Sequence, residues 1–177
     1  MKKKVFSLAR VYTLLEPGPV VLLSTAGPRR PNVMAMSWHA MVEFEPALLS
    51  CIVSDRNYSF GLLQDSGECV LNIPTADLAR QVVGCGNTRG TRTDKFRKFG
   101  LTPSPAQQVA APLIDECYAS LECRVADTRS VSSYGLFILE VVKAWVAPDM
   151  REARTLHHRG RGHFGVLSES ITLRSKK

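Results

Sequence analysis

A chain of 177 residues, 45% hydrophobic and 22% charged, is long enough for a sizeable core and is too apolar to be disordered beyond its two ends. Part of its net charge of +7 sits at those ends, in Lys2, Lys3, Lys4, Arg174, Lys176 and Lys177, and reads as solvated termini. No apolar run approaches the ~20 residues that span a bilayer. Arg10, Glu16 and the lack of a small-residue cleavage site argue against a secretory leader after Met1, so a cytoplasmic protein with no membrane partner is expected.

Residues 5–16 carry apolar side chains at Val5, Leu8, Val11, Tyr12 and Leu15, a broadly helical spacing that Pro17-Gly18-Pro19 ends. Val20–Thr25 reads as a buried strand. Val33–Phe44 reads as a second strand or hairpin partner, broken near Glu45-Pro46, and Leu48–Ser54 as a third. Tyr58–Gln64 is expected to be a short helix closed by Asp65-Ser66-Gly67. Glu68–Ile73 returns as a strand stopped by Pro74. Thr75 is placed to cap a helix whose apolar face is Leu78, Val82 and Val83, ending at Gly84-Cys85-Gly86-Asn87. Thr93 is placed to cap another that Gly100 terminates.

Cys117–Val125 alternates most cleanly. Its odd positions are Cys, Ala, Leu, Cys and Val; its even positions are Tyr, Ser, Glu and Arg, predicting one buried and one polar face. Asp127–Tyr134 is a polar connection, and Gly135–Val146 a long strand rich in branched residues. The six strands with inserted helices, and no linker, predict a single domain over residues 1–177, mainly β, built as a closed or partly open antiparallel barrel.

The five cysteines, Cys51, Cys69, Cys85, Cys117 and Cys123, are odd in number and form no Cys-x-x-Cys pair. Buried reduced thiols are expected, with no disulfide framework and no zinc site. His157, His158 and His163 lie close together but beside Arg159 and Arg161, without acidic or thiol ligands, so no metal is expected. The internal cations Arg89, Arg92, Lys95, Arg97 and Lys98 have only Phe96 and Phe99 among them. These are spaced to pack on one helix face, which argues against nucleic acid as a partner.

Three segments carry candidate chemistry. Asn32-Val33-Met34-Ala35-Met36-Ser37-Trp38 combines small polar groups with an indole. Backbone amides, Asn32 and Ser37 match the donors and acceptors along the edge of a flat polar ring, with Trp38 beside it. The same segment reads equally as a core strand with Met34, Met36 and Trp38 alternating inward. Ser54-Asp55-Arg56-Asn57-Tyr58-Ser59 leads from a strand into a helix. There helix amides, the Arg56 guanidinium and the Ser54 and Ser59 hydroxyls suit a phosphate, although an ordinary N-cap with Arg56 in solvent fits too. In Thr93-Asp94-Lys95-Phe96, Lys95 is placed to neutralise a ligand's negative charge, or else to lie on a solvated helix face.

In this order and spacing the three segments resemble the flavin reductase-like, FMN-binding split-barrel family, which includes the flavoredoxins. Asn72, Cys85-Gly86, Gly90, Pro112-Leu113-Ile114 and His158-Arg159-Gly160 with Phe164 extend the resemblance over most of the chain. It implies a six-stranded antiparallel split β-barrel that binds FMN noncovalently near a homodimer interface. It implies that Asn32, Met34, Ala35, Met36, Ser37 and Trp38 line the ring, that Ser54, Arg56 and Ser59 lie near the phosphate, and that Lys95 reaches in from its loop. No side chain is assigned as a catalytic acid or base. Electrons would come from NAD(P)H or a redox protein. Ala35 stands where the family often has Thr. Ser132-Ser133-Tyr134-Gly135 stands where many reductases carry Gly-Asp-His, which keeps a flavoredoxin-like carrier without NAD(P)H oxidase activity, or a noncatalytic flavin-binding module, as alternatives.

Overall fold

The computed structural model describes residues 3–148 and 153–167, with 169, 171, 173 and 174. Its frame is an eight-stranded antiparallel sheet with the strand order β3-β2-β6-β9-β10-β5-β4, β1 pairing with β10 off that path. The strands are β1 (Lys4–Phe6), β2 (Val21–Thr25), β3 (Asn32–Met36), β4 (His39–Glu43), β5 (Leu48–Ile52), β6 (Glu68–Ile73), β9 (Ala119–Asp127) and β10 (Leu136–Val146). Two small ribbons stand apart from it: β7 (Pro103–Ser104) with β8 (Leu113–Ile114), and β11 (Thr155–His158) with β12 (Phe164–Leu167). The helices are α1 (Tyr12–Leu15), α2 (Tyr58–Ser66), α3 (Ala79–Asn87), α4 (Lys95–Phe99) and α5 (Val131–Tyr134).

The topology explains the shape. The sheet's two edge strands, β3 and β4, are joined in sequence by Ser37 and Trp38 alone. The sheet must therefore curl until its edges meet at that bend, which makes a barrel split between β3 and β4. Strand β10 is long enough to serve two neighbours on one side. Leu136–Glu140 pairs with β5, and Ala144–Val146 with β1. Inward side chains such as Leu23, Leu49, Leu71, Leu121, Phe137 and Leu139 fill the barrel.

Outside, the two halves of the sheet differ. Over β2 and β3, the residues Val20, Leu22 and Val33 are covered by Val82, Phe96 and Leu156 of α3, α4 and β11. Beneath the 102–114 segment, Val70 of β6 is buried with Val109, Ala111 and Leu113. The outward residues of β4, β5 and β10, by contrast, are partly open. Ala40, Ser50 and Ile138 lie side by side across the ladders, and Trp38, Val42 and Phe44 are 68%, 51% and 59% exposed.

Several expectations change. The helical reading of residues 5–16 holds only from Tyr12, after a single 3-10 turn, because Lys4–Phe6 is claimed as a strand by the far half of β10. The 33–44 run divides into β3 and β4. With Lys4–Phe6 this turns six expected strands into eight. Asp94, not Thr93, caps α4, its carboxylate accepting from the Arg97 amide. Asp127–Tyr134 contains the helical turn α5. Ser120 and Glu122, on the supposed polar face of β9, are fully buried. The Glu122 carboxylate accepts from the amides of Gln107 and Gln108 and from Trp145 Nε1, which meets its hydrogen-bonding need out of solvent. Lys3 is tied down by bonds to the Ile114 carbonyl and Ser120 Oγ, and burial lowers its pKa. The expectation for Lys2, Lys176 and Lys177 lies outside the described residues. All five cysteines are buried and free.

Candidate functional site

Two adjoining cavities open where β3, the start of α2, the end of α3 and the β11–β12 ribbon converge. The larger, about 600 Å³, is walled by Asn32, Met34 and Ala35 of β3, by Asp55–Ser59 and Gly61, by Cys85–Thr91, and by Lys95. The smaller, about 390 Å³, is walled by Val20, Ala35, Met36, Ser37, Val82, Val83, Gly86, Asn87, His158, Gly162 and Phe164. Ala35, Gly86 and Asn87 belong to both.

Polar bonds hold the larger cavity in shape. Asn32, buried at the start of β3, donates from Nδ2 to Ser59 Oγ at 2.8 Å, which ties β3 to the first turn of α2. That bond leaves the Ser59 hydroxyl proton to donate elsewhere. Gly90 lies so close to Asn32 Oδ1 that a Cβ there would overlap the amide. Arg30 Nη2 donates to the Gly90 carbonyl at 3.1 Å. Lys95, only 5% exposed, donates from Nζ to the carbonyls of Val33 and Cys85, both at 2.8 Å. Burial lowers the Lys95 pKa and pushes the Cys85 thiol up to about 11, the lysine's charge working against the latter shift. No side chain caps α2 at Asn57, so the positive end of this nine-residue helix faces the cavity uncapped.

Six of the residues expected from sequence, Asn32, Met34, Ala35, Arg56, Ser59 and Lys95, share the larger cavity. Ala35, Met36 and Ser37 line the smaller. Trp38 and Ser54 lie outside both. Trp38 faces outward at the β3–β4 bend while its carbonyl accepts from the Ile52 amide. Ser54 Oγ is engaged within its own turn, accepting from the Arg56 amide at 3.3 Å. Lys95 is neither on a solvated face nor free to reach, since two of its three N–H groups hold backbone carbonyls together.

Sequence reasoning missed Asn87 at the end of α3, and Arg89 and Thr91 in the α3–α4 connection, as cavity residues. It likewise gave His158 and Phe164, on the β11–β12 ribbon, no role beside the ring. The rings of His158 and Phe164 lie 5.2 Å apart, tilted by 50°. The local signal was glycine, in Gly86 and Gly90, which lets the connection approach β3. Among the described residues no cluster of His, Cys, Asp or Glu is arranged to hold a metal, and no helix is long and apolar enough to cross a membrane.

A family model for the flavin reductase like domain matches residues 14–165. A crystal structure of an FMN-binding domain of a flavin reductases-like enzyme from Shewanella baltica superposes with a TM-score of 0.90 at 25% identity, covering 98% of each chain. Flavoredoxin of Desulfovibrio vulgaris shares the fold, with a TM-score of 0.81 at 22% identity over 90% of this chain and 91% of that one. An uncharacterized protein of Escherichia coli K12 is 30% identical over 175 residues, covering 90% of this chain and 92% of its own. One of Archaeoglobus fulgidus is 33% identical over 120 residues, 68% of each.

Proposed function

The chain belongs to the flavin reductase-like domain family, and on that footing we propose that it binds FMN and passes electrons through it from NAD(P)H or a protein donor. The observation that carries this reading is the pair of joined cavities with opposite chemistry. The smaller is lined by Val20, Met36, Val82, Val83 and Phe164, with Ser37 and Asn87 as its small polar groups. It suits a flat, mostly apolar ring with a polar edge. The larger presents Arg56, Arg89, the Ser59 hydroxyl and the uncapped start of α2, a donor set for a phosphate. FMN has this division into ring and phosphate, and its donor set is met without invoking Ser54 or Trp38.

When bound, the flavin supplies the redox chemistry; the protein supplies orientation and electrostatics. Met36, Val82, Val83 and Phe164 would exclude water from the ring. Ser37 and the β3 backbone would address its edge, and Arg56 and Ser59 would hold the phosphate. The solved relative from Shewanella baltica, described as FMN-binding, supports FMN as the ligand. Titrating apoprotein with FMN and riboflavin, followed by stopped-flow reduction with NADH and NADPH, tests it. Failure to bind either flavin would overturn it.

A second reading, an electron carrier without NAD(P)H oxidase activity, is favoured by Ser132-Ser133-Tyr134, where the α5 turn offers no histidine. Steady-state NAD(P)H oxidation separates enzyme from carrier.

The partner we propose is a second copy. β10 is flanked on both sides by strands, and its inward residues Phe137, Leu139 and Val141 belong to the core. The open apolar surface is instead the outer face of β4 and β5 with Leu136 and Ile138. There Trp38, Val42 and Phe44 alone leave on the order of 300 Å² exposed, as much as the largest patch a monomer usually shows. Sedimentation showing a monomer at micromolar concentration would contradict the dimer.

A further inference from the structure

We infer that Arg89 is the second guanidinium on the ligand's terminal phosphate, and that with Arg56 it selects a dianionic phosphomonoester over a phosphodiester. The inference rests on the flavin reading above and names a determinant within that site. Arg56, Arg89 and Lys95 are the cations that line the larger cavity among the described residues. They are not equivalent. Lys95 is committed to the carbonyls of Val33 and Cys85, and turning it toward an anion would leave both carbonyls buried and unpaired. Arg56 and Arg89 are exposed. The described ion pairs are Arg124 with Glu68 and Arg129 with Asp127, so neither cavity arginine is paired with an acid among the described residues.

The backbone holds Arg89 in place, and its side chain has no hydrogen bond or ion pair among the described residues. The neighbouring Gly90 is pressed against Asn32, and its carbonyl is held by Arg30 Nη2 at 3.1 Å. Asn32 in turn holds Ser59 at 2.8 Å. The loop carrying Arg89 is thereby fixed to the same strand that positions the α2 start and Arg56. A phosphomonoester carries about −1.5 to −2 charges at neutral pH, with a second pKa near 6. It presents three free oxygens, enough for two forked guanidiniums. A phosphodiester carries one charge and offers fewer free oxygens, so the second arginine gains less from it. The cavity thus distinguishes FMN, which ends in a monoester, from FAD, whose phosphates are both esterified on.

The other titratable and charged groups facing this space are Asp55, Tyr58 and Cys85, with Lys95 behind them. None is a histidine, so the ligand's own second ionisation is the titration expected between about pH 5 and 8. The experiment is calorimetric titration of FMN, FAD and riboflavin into apoprotein of wild type, Arg89→Ala, Arg89→Lys and Arg97→Ala, at pH values spanning that range. In wild type, FMN affinity should fall relative to riboflavin affinity as pH drops through about 6. Arg89→Ala should lose about tenfold or more for FMN, flatten its pH dependence and narrow the FMN-over-FAD preference. Arg89→Lys should restore part of the loss, and Arg97→Ala, outside the cavity, should match wild type. Equal losses for FMN and riboflavin, or an unchanged FMN affinity, would overturn the role of Arg89. Wild type that binds neither FMN nor riboflavin would overturn the flavin reading itself, and this inference with it.

Discussion

The two cavities share a wall at Ala35, Gly86 and Asn87 but are held by different forces. The apolar one is shaped by packing: Val20 and Val82 belong to the buried layer over β2 and β3, and Phe164 packs against that layer. The cationic one is shaped by polar staples, Asn32 to Ser59, Lys95 to Val33 and Cys85, and Arg30 to Gly90. Side chains of one chemical type therefore do opposite jobs within a single site. Lys95 and Arg30 build the cavity, while Arg56 and Arg89 remain for whatever enters it. Lining a site and binding its ligand are separable, and substitutions can separate them.

The largest effect is expected from Lys95→Met. It removes two bonds to buried carbonyls, each worth ~1–3 kcal/mol when left unmade, so stability should fall by about 2–6 kcal/mol. FMN and riboflavin binding should weaken together, because β3 and α3 lose their tie. Urea unfolding with paired titrations checks this. A stable variant that loses only FMN would make Lys95 a ligand contact after all and erase the division between staples and free cations.

Gly90→Ala comes next. The added methyl must push the Asn32 amide off Ser59, and such overpacking typically costs about 1–3 kcal/mol. FMN affinity should drop more than riboflavin affinity, since the distortion falls on the phosphate side of the shared wall. Equal binding to wild type would show that Asn32 has room to retreat.

Arg56→Ala should leave stability nearly untouched, because the side chain is exposed. FMN affinity should fall about tenfold, as expected for the loss of one charge-assisted contact of ~1.5–3 kcal/mol. Riboflavin binding should barely change, and the difference should shrink at high salt. A loss shared by both flavins would place Arg56 among the staples.

How much of this was legible beforehand follows from what sets each feature. The six strands read from sequence are there because their alternation and branched residues dictate extension locally. The division of Val33–Phe44 was not legible, since Ser37 and Trp38 carry no breaker; closure of the barrel imposes the bend. Lys4–Phe6 is extended only because β10 outruns β5. Ser120 and Glu122 looked solvent-facing because alternation says nothing about another segment, here residues 102–114 and Lys3, folding over the outer face. In the site, Arg56 and Ser59 could be picked out because they flank a strand-to-helix junction, and Asn32 because it opens a separate segment of small polar groups. The commitment of Lys95 and the freedom of Arg89 depend on which carbonyls come within reach, and that is settled only by the packing of α3 and α4 on β3. The same holds for Trp38, whose outward direction follows from the bend.

The smallest effect sharpens the comparison from the apolar side. Val20 enters that cavity's wall directly after Pro19, whose carbonyl lies 2.7 Å from Nε2 of His39 on β4. The carbonyl can only accept, so Nε2 carries the proton. The other ring nitrogen, Nδ1, is buried with no partner among the described residues, and protonating it would bury an unpaired N–H on a charged ring. Burial accordingly lowers the His39 pKa below its ordinary value, partly countered by the Pro19 bond. The sign follows from linkage. The unfolded chain takes up a proton near pH ~6.5 and the folded chain only at lower pH, so the unfolded state binds more protons in between. Stability should be level above about pH 6.5 and decline as pH falls from there toward the folded value. His39→Gln keeps a donor for Pro19 but cannot ionise, so it should lose that part of the decline while resembling wild type at higher pH. Urea midpoints for both proteins across this range measure it, the other histidines contributing equally to each. Parallel curves would mean that protonated His39 is accommodated, and that the apolar cavity, like its neighbour, tolerates a charge at its margin.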